Sequence, residues 1–161
     1  MEDLWPIFAV CTAFLIMYAG FKRLAHQLLQ KFAPHLQFPD IQGNWLEDYG
    51  ITGIYKGRKL MVASRIGRVG DGYLFLESRP GNVPKKFSGL KRMLNASIRL
   101  GNGFYLTFQI NQPLVFYRES WLGHFFEFLS GRTRMTEEKS QALLEALVTA
   151  CEKVERGEYK I

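Results

Sequence analysis

The chain has 161 residues, 47% of them hydrophobic, with 13 Phe and a formal net charge of +6. That balance excludes a disordered or low-complexity chain, and the length holds one soluble domain with a true core beside an apolar N-terminal segment. The two cysteines, Cys11 in that segment and Cys151 on a late helix, are too few and too far apart for a disulfide framework or a structural metal site.

The first element is Leu4–Phe21, LWPIFAVCTAFLIMYAGF, which carries no charged residue. As a helix it is about 27 Å long, close to the roughly 30 Å hydrocarbon thickness of a bilayer. Pro6 falls in its first turn, where a missing amide costs little. A cleaved signal peptide wants a basic start and a small-residue cleavage site. Glu2, Asp3 and Met17-Tyr18-Ala19 supply neither. A buried core helix is rarely uncharged for so long. A retained signal-anchor fits best, so membrane lipids around Leu4–Phe21 are the first expected partner. Lys22 and Arg23 follow at once, which predicts an outside N-terminus and a cytoplasmic C-terminal domain.

Beyond Phe21, Leu24, Ala25, Leu28, Leu29 and Phe32 recur at helical spacing, with Lys22, Arg23, His26, Gln27 and Gln30 opposite. This amphipathic continuation suits the headgroup layer, the soluble domain or a partner helix, and the spacing does not choose between them. Residues 1–33 therefore form the anchor and its continuation. Pro34 ends the helix, and 34–44, with Pro39, reads as a stiff linker to a domain at 45–161.

In the domain the apolar period changes from 3.6 to 2. Strands are expected at Ile51–Tyr55, Lys59–Ile66, Tyr73–Ser78, Leu94–Leu100, Phe104–Ile110 and Leu114–Tyr117. Turns fall at Lys56-Gly57, Gly67–Gly72, Gly101-Asn102-Gly103 and Asn111-Gln112-Pro113, and a long loop at Arg79–Lys91. Two helices follow. Residues 119–130 carry an apolar arc that includes Trp121, Phe125, Phe126 and Phe128. The second helix is capped by Thr136, has Glu137 and Glu138 in its first turn, and ends near Arg156-Gly157. The expected fold is α+β: a single transmembrane helix, then an antiparallel sheet of about six strands covered by two C-terminal helices. Strands followed by a terminal helix resemble the pleckstrin-homology arrangement in the order of elements, a likeness that implies no function.

Chemical motifs are scarce. Gly67–Gly72 precedes the strand Tyr73–Ser78, whereas a phosphate loop needs a helix next. His26, His35 and His124 have no metal-ligand spacing, and His124 with Glu127 reads as a solvated helix face. No nucleophile elbow or acid–base carboxylate pair is present, so no catalytic residue, metal or cofactor is assigned. Asn95-Ala96-Ser97 has the glycosylation pattern but falls in an expected strand on the cytoplasmic side.

The surface feature that remains is charge. Ten basic residues, Lys56, Arg58, Lys59, Arg65, Arg68, Arg79, Lys85, Lys86, Lys91 and Arg92, face only Asp71 and Glu77 between 56 and 92. Such a patch is a solvated sheet face, a contact with anionic lipid headgroups, or a surface for an acidic partner. Nucleic acid is disfavoured, because no nucleic-acid-binding signature accompanies the charge. Trp121, Phe125, Phe126 and Phe128 read as core, with a subunit contact or membrane-surface insertion as the functional alternative. Together these features point to a non-catalytic, single-pass accessory, assembly or scaffold subunit of a membrane complex. The alternatives are a tethered lipid- or ligand-binding module and, behind it, an anchored enzyme acting on a lipidic substrate.

Overall fold

The computed structural model describes residues 5–43, 49–64, 74–85, 87, 97–109, 112–119, 127 and 130–159. A long helix, α1 (Trp5–Phe32), leads through a 3-10 turn at Ala33–His35 into the first strand, β1 (Gln37–Gln42). Six more strands follow: β2 (Tyr49–Tyr55), β3 (Arg58–Ser64), β4 (Leu74–Ser78), β5 (Ser97–Gly101), β6 (Phe104–Gln109) and β7 (Gln112–Glu119). The helix α2 (Glu137–Glu155) closes the chain. Architecture is thus mixed α+β, with an apolar N-terminal helix, an antiparallel sheet and a C-terminal helix.

All seven strands lie in one sheet of order β1-β2-β3-β4-β7-β6-β5, and every pairing is antiparallel. Two meanders, one of four strands and one of three, meet where β4 pairs with β7. The register sets one face. Ile51, Val62, Leu76, Tyr117 and Phe104 align in one row across the sheet. Leu60, Ser78, Val115, Leu106 and Ile98 align in the next. Because side chains alternate faces along a strand, both rows point the same way. They meet Leu28, Leu29 and Phe32 of α1 and Leu144, Leu147 and Cys151 of α2 in one core. Full burial of a leucine, isoleucine, valine or phenylalanine there stabilises the fold by about 1.5–3 kcal/mol.

Two expectations change. The sheet has seven strands rather than six, and the added one, β1, lies in the stretch read as a linker. Hydrophobic alternation could not reveal it, because all six of its residues are exposed. It is an edge strand, a position where a proline such as Pro39 is tolerated. A bulge between Gln37 and Asp40, with Phe38 at φ +51°, breaks its ladder further. The second change concerns the end of the chain. Of the two C-terminal helices expected, α2 is the one described. The helix expected over 119–130 lies almost wholly outside the described residues, where Glu127 and Ser130 are helical and β7 runs on to Glu119.

The ends of α2 follow the reading from sequence. Thr136 Oγ1 accepts a hydrogen bond from the Lys139 amide at 3.2 Å, satisfying one of the free first-turn donors. Gly157 takes φ +68°, and the Glu158 amide donates to the Lys153 carbonyl at 2.9 Å, the pattern of a glycine-terminated helix. Strand turns also agree, with Lys56-Gly57 and Asn102-Gly103 joining β2 to β3 and β5 to β6, all four at positive φ.

Candidate membrane anchor and the basic end of the sheet

The helix α1 has two environments along one unbroken axis. From Trp5 to Met17 every residue is exposed, although most are large and apolar; Leu15 is 68% exposed. That stretch alone is about 20 Å of bare helix. Tyr18–Phe21 are half-buried, and from Lys22 onward the inner face closes on the domain through Leu24, Ala25, Leu28, Leu29 and Phe32. By length and composition this is a helix able to cross a membrane. A core helix of a soluble domain would have its apolar residues covered, and here those of the first half are not.

The amphipathic continuation therefore docks on its own domain. Its apolar face packs over β2 and β3, and Lys31 reaches Glu137 of α2 at 3.6 Å. Ser140 Oγ lies 2.7 Å from the carbonyl oxygens of Lys31 and Glu137, tying the two helices where α1 ends. At the other end of the contact, the Lys22 Nζ sits 5.4 Å from the Tyr18 ring centre and 5.2 Å from that of Tyr49. The His26 ring meets Tyr49 edge-on at 5.8 Å. Leu36, just past the turn, lies against Gly53, whose missing side chain makes the room: a Cβ there would stand 2.8 Å from that of Leu36.

These contacts orient the sheet relative to α1. Tyr49 of β2 lies beside Lys22, where the bare helix enters the domain, and Gly53 lies beside Leu36, past its far end. The Lys56-Gly57 turn is farther still, about 20 Å from the Tyr49 level at the rise of a strand. Ser78 pairs with Leu60, so β4 also delivers Arg79 to that remote end.

There the structure gathers part of the basic set. Arg58, Lys59 and Arg79 line one open cavity of about 530 Å³ together with Glu77. Lys56, Lys59, Arg79 and Lys85 are exposed. Several of these charges are answered by α2 and β7. The Arg58 guanidinium donates two hydrogen bonds to Glu155, Nη1 to Oε1 at 2.8 Å and Nη2 to Oε2 at 2.6 Å. Glu155 also accepts from the Gly81 amide at 2.6 Å, which fixes the start of the loop after β4. Lys56 reaches Glu145 at 3.3 Å, where the Tyr55 hydroxyl also donates at 3.2 Å. Arg79 donates to the side-chain oxygen of Gln112. Hydrogen bonds from Arg58 hold the Glu155 carboxyl below the usual carboxylate range, and those from Lys56 and Tyr55 do the same for Glu145.

Arg65, Arg68, Lys86, Lys91 and Arg92 of the basic set, and Trp121, Phe125, Phe126 and Phe128 of the aromatic set, lie outside the described residues. Reading the sequence missed the acidic answer to the basic stretch. Glu145 and Glu155 occupy the polar face of a helix some 90 residues on, and only the way α2 crosses the sheet brings them to Lys56 and Arg58. It also missed Tyr49, for which the one signal was its place at the start of a strand. Among the described residues no group of His, Cys, Asp and Glu is arranged to hold a metal ion.

Compared with protein-family models, curated proteins and solved structures, the chain matches none.

Proposed function

We propose that this chain is a single-pass membrane protein whose domain acts as an accessory, assembly or scaffold subunit of a membrane complex rather than as a catalyst. The observation that supports it is the continuity of α1, with bare apolar side chains over its first half and core side chains over its second. A helix running without a joint from hydrocarbon into a core gives the sheet a fixed height against the leaflet. That is what a structural subunit needs and a freely tethered enzyme does not. Lys22 and Arg23 directly after the apolar run favour an outside N-terminus and a cytoplasmic domain.

The test is twofold. Alkaline carbonate should leave the full-length chain in the membrane pellet and mild detergent should release it. Native electrophoresis of the mild-detergent extract should then show a complex of fixed stoichiometry. A chain that migrates as a lone monomer removes the accessory role; a chain that is water-soluble without detergent removes the anchor as well.

A second reading, a tethered lipid- or ligand-binding module, gains less from the basic stretch than the composition suggests. Lys56, Arg58, Lys59 and Arg79 sit at the end of the strands away from the bare helix, and Lys56 and Arg58 are paired with glutamates. A separation of about 20 Å is more than twice the roughly 8 Å screening length at physiological salt. Those four residues are better placed for an acidic protein partner approaching from the cytoplasm.

A further inference from the structure

The loop that leaves β4 has a hollow on either side of it. One is the cavity of about 530 Å³ described above, floored by Leu60, Met61 and Leu114 and edged by Lys59 and Arg79. The other, of about 270 Å³, is lined by Val83, Pro84 and Lys85 of the loop and by Phe108 and Pro113 of the neighbouring strands. Gly81 lines both and forms the saddle between them. Its amide donates to Glu155 at 2.6 Å, and the same carboxylate holds Arg58. The saddle is thereby pinned to α2, which lowers the ordering cost of laying another chain across it.

The charge along this path is unanswered. Lys59 and Lys85 are exposed and enter no ion pair, and exposed Arg79 is bonded to the neutral amide of Gln112. Glu77, the acid in the first hollow, has a partner of its own. Residues 86–96, which lead from the second hollow to β5, add Lys86, Lys91 and Arg92 and contain no Asp or Glu. The acids outside the described residues belong by sequence to other places. Glu47 and Asp48 directly precede Tyr49, and Asp71 lies between Ser64 and Leu74, strand ends at the Tyr49 level. Glu2 and Asp3 precede the bare half of α1.

We infer that this saddle binds an extended acidic segment of a partner protein. Its carboxylates meet Lys59 and Arg79 on one side of Gly81 and Lys85 on the other, and an apolar side chain lies on the Met61 floor. The partner so described rests on the accessory role proposed above. Charge spread over two hollows, each with apolar surface, suits a chain that carries both kinds of side chain rather than one compact anion.

Full-length protein in a non-ionic detergent, titrated into a fluorescein-labelled peptide of alternating Glu and Leu, tests this by anisotropy. A peptide of alternating Gln and Leu, one of alternating Glu and Ser, and a short oligothymidylate serve as comparisons. The Glu-Leu peptide should bind most tightly of the four and lose affinity as salt rises. Lys59→Gln, Arg79→Gln and Lys85→Gln should each weaken it about threefold, the strength of one exposed ion pair, and together about tenfold or more. A control triple variant, Arg132→Gln with Arg134→Gln and Lys139→Gln, removes the same charge from exposed residues at the other end of α2 and should bind as the wild type does. An equal loss in that control means that the peptide follows net charge, and overturns the assignment. Binding of any comparison molecule as tight as that of the Glu-Leu peptide overturns it too. A chain found in a complex of fixed stoichiometry, whose saddle variants bind the peptide like the wild type, refutes this inference alone. A lone monomer that shows the expected pattern refutes the subunit role while the surface stands.

Discussion

Two leucines thirteen residues apart on α1 separate the roles of its halves. Leu15 lies near the middle of the apolar run and is 68% exposed, whereas Leu28 is fully buried in the core of the domain. Leu15→Arg replaces a side chain that favours the bilayer centre with one that opposes it, a change of about 3 kcal/mol, or roughly a hundredfold in membrane partition. It removes no contact inside the domain, so the folded core should be unaffected. Leu28→Ala does the reverse. Deleting a buried leucine to leave a cavity costs about 3 kcal/mol of folding stability, roughly 10 °C in melting midpoint for a chain of this size. Membrane insertion should not change. Carbonate fractionation reads the first effect and thermal denaturation in detergent the second. A Leu15→Arg protein that melts as far below the wild type as Leu28→Ala would refute the reasoning, because Leu15 would then be packed inside the protein.

Other outcomes follow from the sheet and α2. The Arg58–Glu155 pair is only partly exposed and doubly hydrogen-bonded, so Glu155→Gln should cost about 1–2 kcal/mol at neutral pH. Since Arg58 lowers the Glu155 pKa in the folded state, that stabilisation is complete above the ordinary carboxylate pKa and is lost as pH falls through the depressed one. Urea midpoints of wild type and variant should converge in acid; a gap unchanged down to pH 2 would contradict the pairing. Burial pushes the Cys151 thiol up to about 11, so in a Cys11→Ser background a disulfide reagent at pH 8 should label the chain only after denaturation. Labelling of the folded chain at the rate of a free thiol would count against the buried position of Cys151. Gly53→Ala should lower stability by about 2 kcal/mol, because the new Cβ meets Leu36. An unchanged melting midpoint would mean that the turn after α1 is not seated on β2.

Local chemistry left its mark wherever one residue type suffices to determine structure. Thr136 and Gly157 bound α2, Lys56-Gly57 and Asn102-Gly103 make the tight turns, and eighteen uncharged residues mark a helix long and apolar enough to cross a membrane. Strand periodicity found β2, β3, β4, β6 and β7 to within two residues at either end, because each has apolar side chains to place in the core. It passed over β1, whose six residues bury none.

What the amino-acid order determined by itself is the apolar span, the boundaries of α2 and the period of most strands, since each depends on neighbours a few positions away. Only the tertiary structure decided that the second half of α1 belongs to the core, that α2 carries Glu145 and Glu155 to the basic turn, and that this turn lies at the opposite end of the sheet from the bare helix. Those are facts of register and crossing direction, which depend on residues ninety positions apart and leave no period in the sequence.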